Sequence, residues 1–252
     1  MNERLDVWVM FCPNWVLSVD RPFVTVTRSW ICRKLQFLKE IIQCYNGVLL
    51  KGFLGNMKPM LSKSRFLAGL QCPLRLWFQC YDRELATPSS PTQQAIFDMG
   101  HDVGVLATKL YPAGLYVEED YMHHPEAQKT TESAIENPNV PAIFEGAFSF
   151  NGVRIRVDIL ERLKNDRWNM IEVKSSTSAK EVYIVDAAVQ NYVLNGAGLA
   201  LDLVGILHLN NQYIYDGAHV DLNQLFHFSD LTEEVHRRQE LIASQVESLK
   251  SV

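Results

Sequence analysis

The sequence predicts an α/β domain in which a β-meander is preceded and followed by helices. Two patterns predict this class. From Ile143 to Lys174, apolar and polar residues alternate between the short polar turns "NG" and "KND", as in antiparallel strands. Helical periodicity comes before the meander, and after it a helical stretch leads into the apolar strand "LALDLVGILHL".

Length and charge limit the classes of function. The chain has 252 residues, of which 47% are hydrophobic, enough for one large domain or one domain with an extension. Its net charge of -5 excludes a global basic field that would recruit nucleic acid by itself. Any binding of a polyanion must therefore be local or mediated by a metal.

Residues 1 to 56 differ in character from the rest, and the working domain is expected to span residues 57–252. The first segment holds three of the five Trp and three of the five Cys, and it carries a charge of +3, which leaves -8 for the remainder. It is an N-terminal extension of open status: an appendage, an upstream mis-start or a small helical subdomain.

Membrane and redox signals favour a cytoplasmic protein. The apolar stretch "VWVMFCPNWVL" is broken by Pro13 and Asn14, so it predicts neither a signal peptide nor a membrane span. The five cysteines are odd in number and form no C-x-x-C pair, which fits a reducing compartment.

Two helical stretches come before the meander. The first, "LSKSRFLAGLQCPLRLWFQCYD", can be capped by Ser62 or Ser64. The second, "TQQAIFDMGHDVGVLATKLYP", should end at Pro112, with Gly100 and Gly104 on one face for close packing. Residues 116 to 140 predict pieces of strand, helix and loop.

After the meander, "SAKEVYIVDAAVQNYVLNGAG" predicts a helix, and "QYIY" a short strand. A final helix should start at Asp230, with Glu233 completing a capping box. Because nothing follows to bury its apolar stripe, a protein partner or a missing C-terminal region is expected to cover it. The stripe consists of Leu231, Val235, Ile242, Val246 and Leu249.

The hairpin "RVDILERLKNDRWNMIEVKSS" predicts its own register. A two-residue loop would mix charged residues into the apolar face. A three-residue loop, 164–166, instead pairs Ile159 with Ile171 and gathers the apolar residues on one face. It also sets Asp158 directly opposite Glu172.

Two opposed carboxylates repel each other unless a cation lies between them. Lys174 supplies one positive charge, and Mg²⁺ or Mn²⁺, which prefer oxygen ligands and accept phosphate oxygens, would supply more. That chemistry suits phosphodiester hydrolysis, with Lys174 orienting a water or offsetting negative charge. The alternative is that these charges form a solvated polar face of a half-exposed sheet.

Asp158 followed by Glu172-Val173-Lys174 on a hairpin resembles the signature of the PD-(D/E)XK nuclease superfamily. The order of elements over about residues 60 to 215 resembles RecB-like nucleases, including the CRISPR-associated RecB-like exonucleases. It is most similar to a group of uncharacterised bacterial proteins, longer than this chain, that begin with such a domain. The resemblance implies a restriction-endonuclease-like fold, with a mixed central sheet flanked by helices.

The resemblance also implies roles for single residues. Asp158 and Glu172 become metal ligands and Lys174 the catalytic lysine, with Gln190 beside them on the following helix. Helical spacing places Asp186 and Gln190, four residues apart, on one face of that helix, where a polar pair can line a cleft. RecB-like enzymes often carry a metal-binding histidine where this chain has Gly104. Further candidates are Glu145 and His101 as metal ligands, and Arg154, Arg156 and Tyr192 as substrate-binding residues.

No iron-sulfur cluster is expected, because four thiolates are needed and no cysteine follows Cys80. The resulting hypothesis is a cytoplasmic deoxyribonuclease that depends on Mg²⁺ or Mn²⁺ and acts on DNA. The alternative is a catalytically inactive, nuclease-like module for DNA binding or assembly.

Overall fold

The computed structural model describes residues 60–252, and the predictions for residues 1 to 56 lie outside this range. The strands are β1 (Leu61–Ser62), β2 (Leu115–Tyr116), β3 (Ala142–Phe150), β4 (Val153–Arg162), β5 (Trp168–Lys174), β6 (Leu201–Leu209) and β7 (Phe226–Asp230). The helices are α1 (Lys63–Gln71), α2 (Pro73–Tyr81), α3 (Pro91–Thr108), α4 (His124–Glu136), α5 (Glu181–Gly196), α6 (Leu222–Leu225), α7 (Thr232–Arg237) and α8 (Gln239–Lys250).

The strands of this part of the chain form one mixed sheet in the order β2-β3-β4-β5-β6-β7, and β1 pairs with β4. The β3-β4-β5 meander is antiparallel, whereas β5 and β6 run parallel, joined by the crossover helix α5. The predicted α/β class, with a mixed central sheet flanked by helices, is therefore confirmed.

Helices cover both faces of the sheet. A larger cluster of buried apolar residues joins the sheet to α1, α2, α4, α5, α7 and α8, and a smaller one joins it to α3. The neighbouring residues Ile159 and Leu160 of β4 belong to the smaller and the larger cluster respectively, as expected of side chains on opposite faces.

The register of the β4-β5 hairpin is the predicted one. Ile159 pairs with Ile171, and the loop 164–166 has three residues, of which Asn165 and Asp166 adopt left-handed φ angles of 65° and 56°. Asn and Asp tolerate this conformation better than most residues. Loop length and apolar alternation thus set the register together.

The prediction of a single apolar face was wrong. Leu160 and Met170 belong to the larger cluster, whereas their neighbours Ile159 and Ile171 belong to the smaller one. The physical reason is that helices pack on both faces, so apolar side chains are stabilised on either side of β4 and β5.

The elements near residues 210 to 240 differ from the prediction. "QYIY" forms no strand, because β5 and β7 already occupy both edges of β6, and Ile214 is exposed. Asp230 ends β7, its side chain accepts hydrogen bonds from Thr232, and the capping box with Glu233 does not form. The final helix is divided at Arg238 into α7 and α8.

The apolar stripe of the last helices is covered within the domain. Val235, Ile242 and Val246 are buried, and they pack in the larger cluster with residues of α1 and α5. Burial of the stripe therefore needs neither the protein partner nor the further C-terminal region that the sequence predicts.

The N-terminal helices begin as predicted but end differently. The Ser62 hydroxyl accepts a hydrogen bond from the Arg65 N–H and caps α1. α3 ends at Thr108, before Pro112, and a Cβ at Gly100 or Gly104 would meet no atom of residues 60–252, so within this range the two glycines permit no close packing. No helix among residues 60–252 combines the length and the apolarity that crossing a membrane requires.

Candidate active site

A cluster of charged and polar side chains lies where β5, α5 and the start of α1 meet. At its centre is Glu172, whose side chain is only 2% exposed. Its Oε1 accepts hydrogen bonds from Lys174 Nζ at 2.6 Å and from Lys63 Nζ at 2.8 Å. Its Oε2 accepts one from Gln190 Nε2 at 2.7 Å. The buried carboxylate is therefore paired and hydrogen-bonded on both oxygens, as a buried charge must be.

Asp186 is the second buried carboxylate of this cluster. Lys174 Nζ lies 2.8 Å from its Oδ2, and Lys63 Nζ lies 3.3 Å from its Oδ1. Gln190, one helical turn later on α5, lies 3.3 Å from the same Oδ1, as the predicted four-residue spacing requires. Two lysines and two carboxylates thus alternate around a closed arrangement.

Asp158 lies on β4 at the point where pairing with β5 stops. The backbone pairs end at Ile159–Ile171, and beyond them the Asp158 carboxylate accepts a 2.7 Å hydrogen bond from the Val173 N–H. Asp158 also lines the cleft described below. The predicted backbone pair of Asp158 with Glu172 is therefore not formed, although Glu172 is near enough for its charge to raise the pKa of Asp158.

The carboxylates of the site differ in the direction in which their pKa values are shifted. Burial and the neighbouring charge of Glu172 raise the pKa of Asp158 to about 8. Burial would also raise the pKa of Glu172, but the Lys63 and Lys174 ammonium groups outweigh it and hold that pKa well below its usual range. The pKa of Asp186 is raised, chiefly by burial and then by Glu172.

Both lysines remain protonated at neutral pH. Burial by itself lowers the pKa of an ammonium group, yet Glu172 and Asp186 more than offset this and raise the pKa values of Lys63 and Lys174 above the ordinary one. Each lysine therefore acts in this cluster as a cation and hydrogen-bond donor.

Glu145 lies on β3 opposite Asp158, between the pairs Phe144–Ile159 and Gly146–Val157. Its φ of 55° is in the left-handed region, which costs a non-glycine residue about 1–3 kcal/mol. Its carboxylate lies 3.7 Å from the Arg156 guanidinium, and burial raises its pKa.

A large cleft opens beside the cluster, with a volume of about 1080 Å³. Lys63 and Asp158 belong to both the cleft and the cluster. Two carboxylates line the cleft, Asp82 and Asp158, against six cations: Lys63, Arg65, Arg75, Arg83, Arg154 and Arg156. In a chain whose net charge is -5, this concentration of positive charge favours a bound polyanion.

Arg156 is fixed within the wall of this cleft. Its Nη2 donates a 2.8 Å hydrogen bond to the Val117 carbonyl, and its buried Nη1 has no hydrogen-bond partner among the described residues. Arg154, Arg156 and Asp158 alternate along β4, and all three line the cleft.

The structure does not bring every predicted residue to this site. His101 is exposed on α3 and makes no hydrogen bond or ion pair with residues 60–252. Tyr192 packs against Phe150, with ring centroids 5.4 Å apart, and accepts a hydrogen bond from the Asn151 side chain. Its predicted contact with substrate has no structural support.

The sequence patterns did not point to Lys63. Lys63 lies 109 residues before Glu172, and the tertiary fold brings the two together. The pairing of β1 with β4 and the Ser62 cap place it at the start of α1. A short polar stretch such as "SKS" carries no local signal for such a contact.

The carboxylate oxygens of this site suit a hard divalent cation, but only a few protein side chains are placed to bind it. Within residues 60–252, no group of three or more His, Cys, Asp or Glu side chains is arranged to hold a metal ion, so neither Glu145 nor His101 completes such a set. Asp158 and Glu172 supply two carboxylates, and Mg²⁺ is commonly held by one or two carboxylates together with water and phosphate. Asp158 forms no ion pair with a Lys or Arg side chain of residues 60–252, and burial together with the charge of Glu172 raises its pKa.

Cys72 and Cys80 are half-buried and form no disulfide with each other. Cys72 lines the cleft at the junction between α1 and α2. The absence of an iron-sulfur cluster stays a prediction.

Comparisons with known proteins give weak likenesses. No protein-family model matches the chain, and no curated protein is similar enough to count as a match. Several solved structures are similar in part, among them the following three. The first is a candidate exonuclease from Eubacterium rectale, with a TM-score of 0.39, 11% identity, and coverage of 77% of this chain and 82% of that one.

The second is the protein SSO0001, with a TM-score of 0.35, 12% identity, and coverage of 84% of this chain and 88% of that one. The third is the alkaline exonuclease LHK-Exo from Laribacter hongkongensis, with a TM-score of 0.29, 11% identity, and coverage of 76% and 90%. At these TM-scores the likenesses assign no function, which has to be argued from the cluster and the cleft.

Proposed function

We propose that the chain is a metal-dependent nuclease that hydrolyses phosphodiester bonds of DNA. The observation that carries the proposal is the junction of two features: a cluster of carboxylates and lysines, and a cleft of about 1080 Å³ lined mainly by cations. Asp158 and Lys63 belong to both. A polyanionic substrate held in the cleft would therefore have its phosphates beside the carboxylates.

Asp158 and Glu172 are the residues proposed to hold Mg²⁺ or Mn²⁺. When bound, such an ion polarises a phosphate and lowers the pKa of a coordinated water. Asp158 is suited to this task because it is a carboxylate in need of positive charge, as its raised pKa indicates. Gln190 orients Glu172 through the hydrogen bond to Oε2.

Lys174 is proposed to stabilise developing negative charge. Because its pKa is raised, the amine is protonated at neutral pH and cannot serve as a general base. An ammonium group has three N–H donors, of which two go to Glu172 and Asp186. The third can donate to an attacking water or to a phosphate oxygen.

Arg154 and Arg156 are proposed to hold the phosphates on either side of the cleaved bond. They lie on β4 two and four residues before Asp158, and all three residues line the cleft. Contacts of this kind position a nucleic acid without reading its sequence.

A second candidate function is a nuclease-like module that binds DNA without cleaving it. One observation favours it: Glu172 is 2% exposed, and both of its oxygens already accept hydrogen bonds from the chain. In that case the cluster would be a structural ion-pair network, and the cleft would bind DNA on its own.

Incubation of the purified chain with single- and double-stranded DNA, with and without Mn²⁺, distinguishes the two functions. We expect cleavage that requires Mn²⁺ and falls about 10²–10³-fold in Lys174→Ala, the range seen when one group that stabilises charge is removed. Lys129→Ala, which changes an exposed lysine on α4, is the matched control and should cleave normally. Equal cleavage by Lys174→Ala and the wild type would exclude the role assigned to Lys174.

A further inference from the structure

Lys63 is a cation built into the carboxylate cluster, and the function proposed above gives it no role. Its Nζ donates to Glu172 Oε1 at 2.8 Å and lies 3.3 Å from Asp186 Oδ1. It is the first residue of α1, held in place by the Ser62 cap and by the pairing of β1 with β4. The backbone thus directs a long, flexible side chain into the cluster.

Oε1 of Glu172, the oxygen that accepts from Lys63, has no spare lone-pair site in this arrangement. Oε1 accepts from both Lys63 and Lys174, and Oε2 accepts from Gln190. A carboxylate oxygen offers about two lone-pair sites, so Oε1 is fully used. A divalent cation that binds Oε1 must therefore displace one of the two ammonium groups.

Lys63 is the donor that can leave at the smallest cost. It lines the cleft, so its ammonium group can turn into water or towards a phosphate. Lys174 is fixed on β5 two residues from Glu172 and also holds Asp186 at 2.8 Å, and Gln190 is fully buried.

We propose that Lys63 is a positioning residue that holds Glu172 and Asp186 in place until a divalent cation binds, and that it then leaves Glu172 and turns into the cleft. This inference rests on the proposed metal-dependent function. The released ammonium group would join Arg154 and Arg156 on the cleft wall. Binding of the metal would thereby add a positive charge to the site that receives the phosphates.

Chemical modification of lysines in the unaltered 252-residue chain tests the movement directly. The chain is treated briefly with an acetylating reagent, with and without Mn²⁺, and each lysine is followed by peptide mass spectrometry. We expect acetylation of Lys63 to rise several-fold with Mn²⁺, while Lys174 and the exposed Lys129 change little. Unchanged or reduced acetylation of Lys63 would overturn the inference.

Calorimetric titration with Mn²⁺ tests the competition. Lys63→Met keeps the length of the side chain without its charge and should bind Mn²⁺ about tenfold more tightly than the wild type, because a competing cation is gone. Lys63→Arg should bind no more tightly than the wild type. Arg83→Met removes a cation from the cleft but not from the cluster, and it should change the affinity little.

The outcomes separate this inference from the function on which it rests. If the wild type binds no Mn²⁺ and cleaves no DNA, the proposed function fails. If it binds Mn²⁺ and cleaves DNA while Lys63→Met binds the metal no more tightly, only the role of Lys63 fails. Far-ultraviolet circular dichroism of each variant shows that it is folded before titration.

Discussion

At the scale of residues, the central feature is that the charges of Glu172 and Asp158 are compensated to different extents. Glu172 is held ionised by two lysines, whereas Asp158, on the neighbouring strand β4, accepts a hydrogen bond from a backbone N–H and has its pKa raised to about 8. The protein thus maintains one carboxylate with too little positive charge. Such a group lowers stability and is retained where it serves a function.

This arrangement predicts the effect of Asp158→Asn on stability. Because the folded state binds the Asp158 proton more tightly than the unfolded state does, the free energy of unfolding should fall as the pH rises from about 4 to about 8. Asparagine at position 158 carries no titrating charge, so this fall in the free energy of unfolding should disappear. Its side-chain oxygen can still accept the hydrogen bond from the Val173 N–H. Because solvent in the cleft screens the charge, we expect a gain on the order of 2 kcal/mol at pH 8 in EDTA.

Urea denaturation of the wild type and Asp158→Asn at pH 5 and pH 8 checks this prediction. The difference in stability should be smaller at pH 5, where Asp158 is protonated in the folded state. Added Mn²⁺ should stabilise the wild type and leave Asp158→Asn unchanged. A variant less stable than the wild type at pH 8 in EDTA would contradict this description of Asp158.

At the scale of elements, substitution by alanine is expected to change stability in opposite directions at two glycines. An added Cβ at Gly205 in β6 would lie 2.5 Å from the Ser229 carbonyl oxygen of β7 and 2.3 Å from the Phe228 ring. Gly104, on α3, has open space around it. Gly205→Ala should therefore cost about 1–3 kcal/mol, whereas Gly104→Ala should stabilise α3 by about 0.5–1 kcal/mol.

Chemical denaturation of the two variants beside the wild type measures both changes. Gly100→Ala, on α3 and also in open space, serves as the matched control and should behave like Gly104→Ala. If Gly104→Ala destabilised the protein, another part of the chain would have to pack against this face of α3.

The elements also show what could be predicted from the sequence. The β4-β5 register was predictable because loop length and apolar alternation are local properties, and so was the pairing of Asp186 with Gln190 on α5. The single apolar face was not, since the pattern of β4 cannot show that helices pack on both sides. The contact of Lys63 with Glu172 depends on residues 109 positions apart, for which no periodicity exists.

At the scale of the whole molecule, an acidic chain presents a basic cleft among residues 60–252. Its net charge is -5, yet six Lys and Arg side chains line the cleft beside Asp158. Binding of nucleic acid should therefore be local and sensitive to salt, because each neutralised phosphate releases counterions.

The salt dependence of DNA binding, measured in EDTA to prevent cleavage, tests this local field. Arg154→Ala should weaken binding and reduce the slope of the logarithm of the binding constant against the logarithm of salt concentration by about 1. Arg237→Ala, an exposed change on α7, is the control and should leave the slope as in the wild type. An unchanged slope in Arg154→Ala would remove Arg154 from the DNA-binding surface.

The central claim is that the cluster around Glu172 hydrolyses phosphodiester bonds with the help of a divalent cation. The most direct measurement is the rate at which labelled DNA is cleaved as Mn²⁺ is increased, for the wild type and for Glu172→Gln. We expect the wild-type rate to rise to a plateau, and the Glu172→Gln rate to be at least about 100-fold lower at every concentration. Binding of DNA without cleavage by the wild type, or equal rates for both proteins, would contradict the claim.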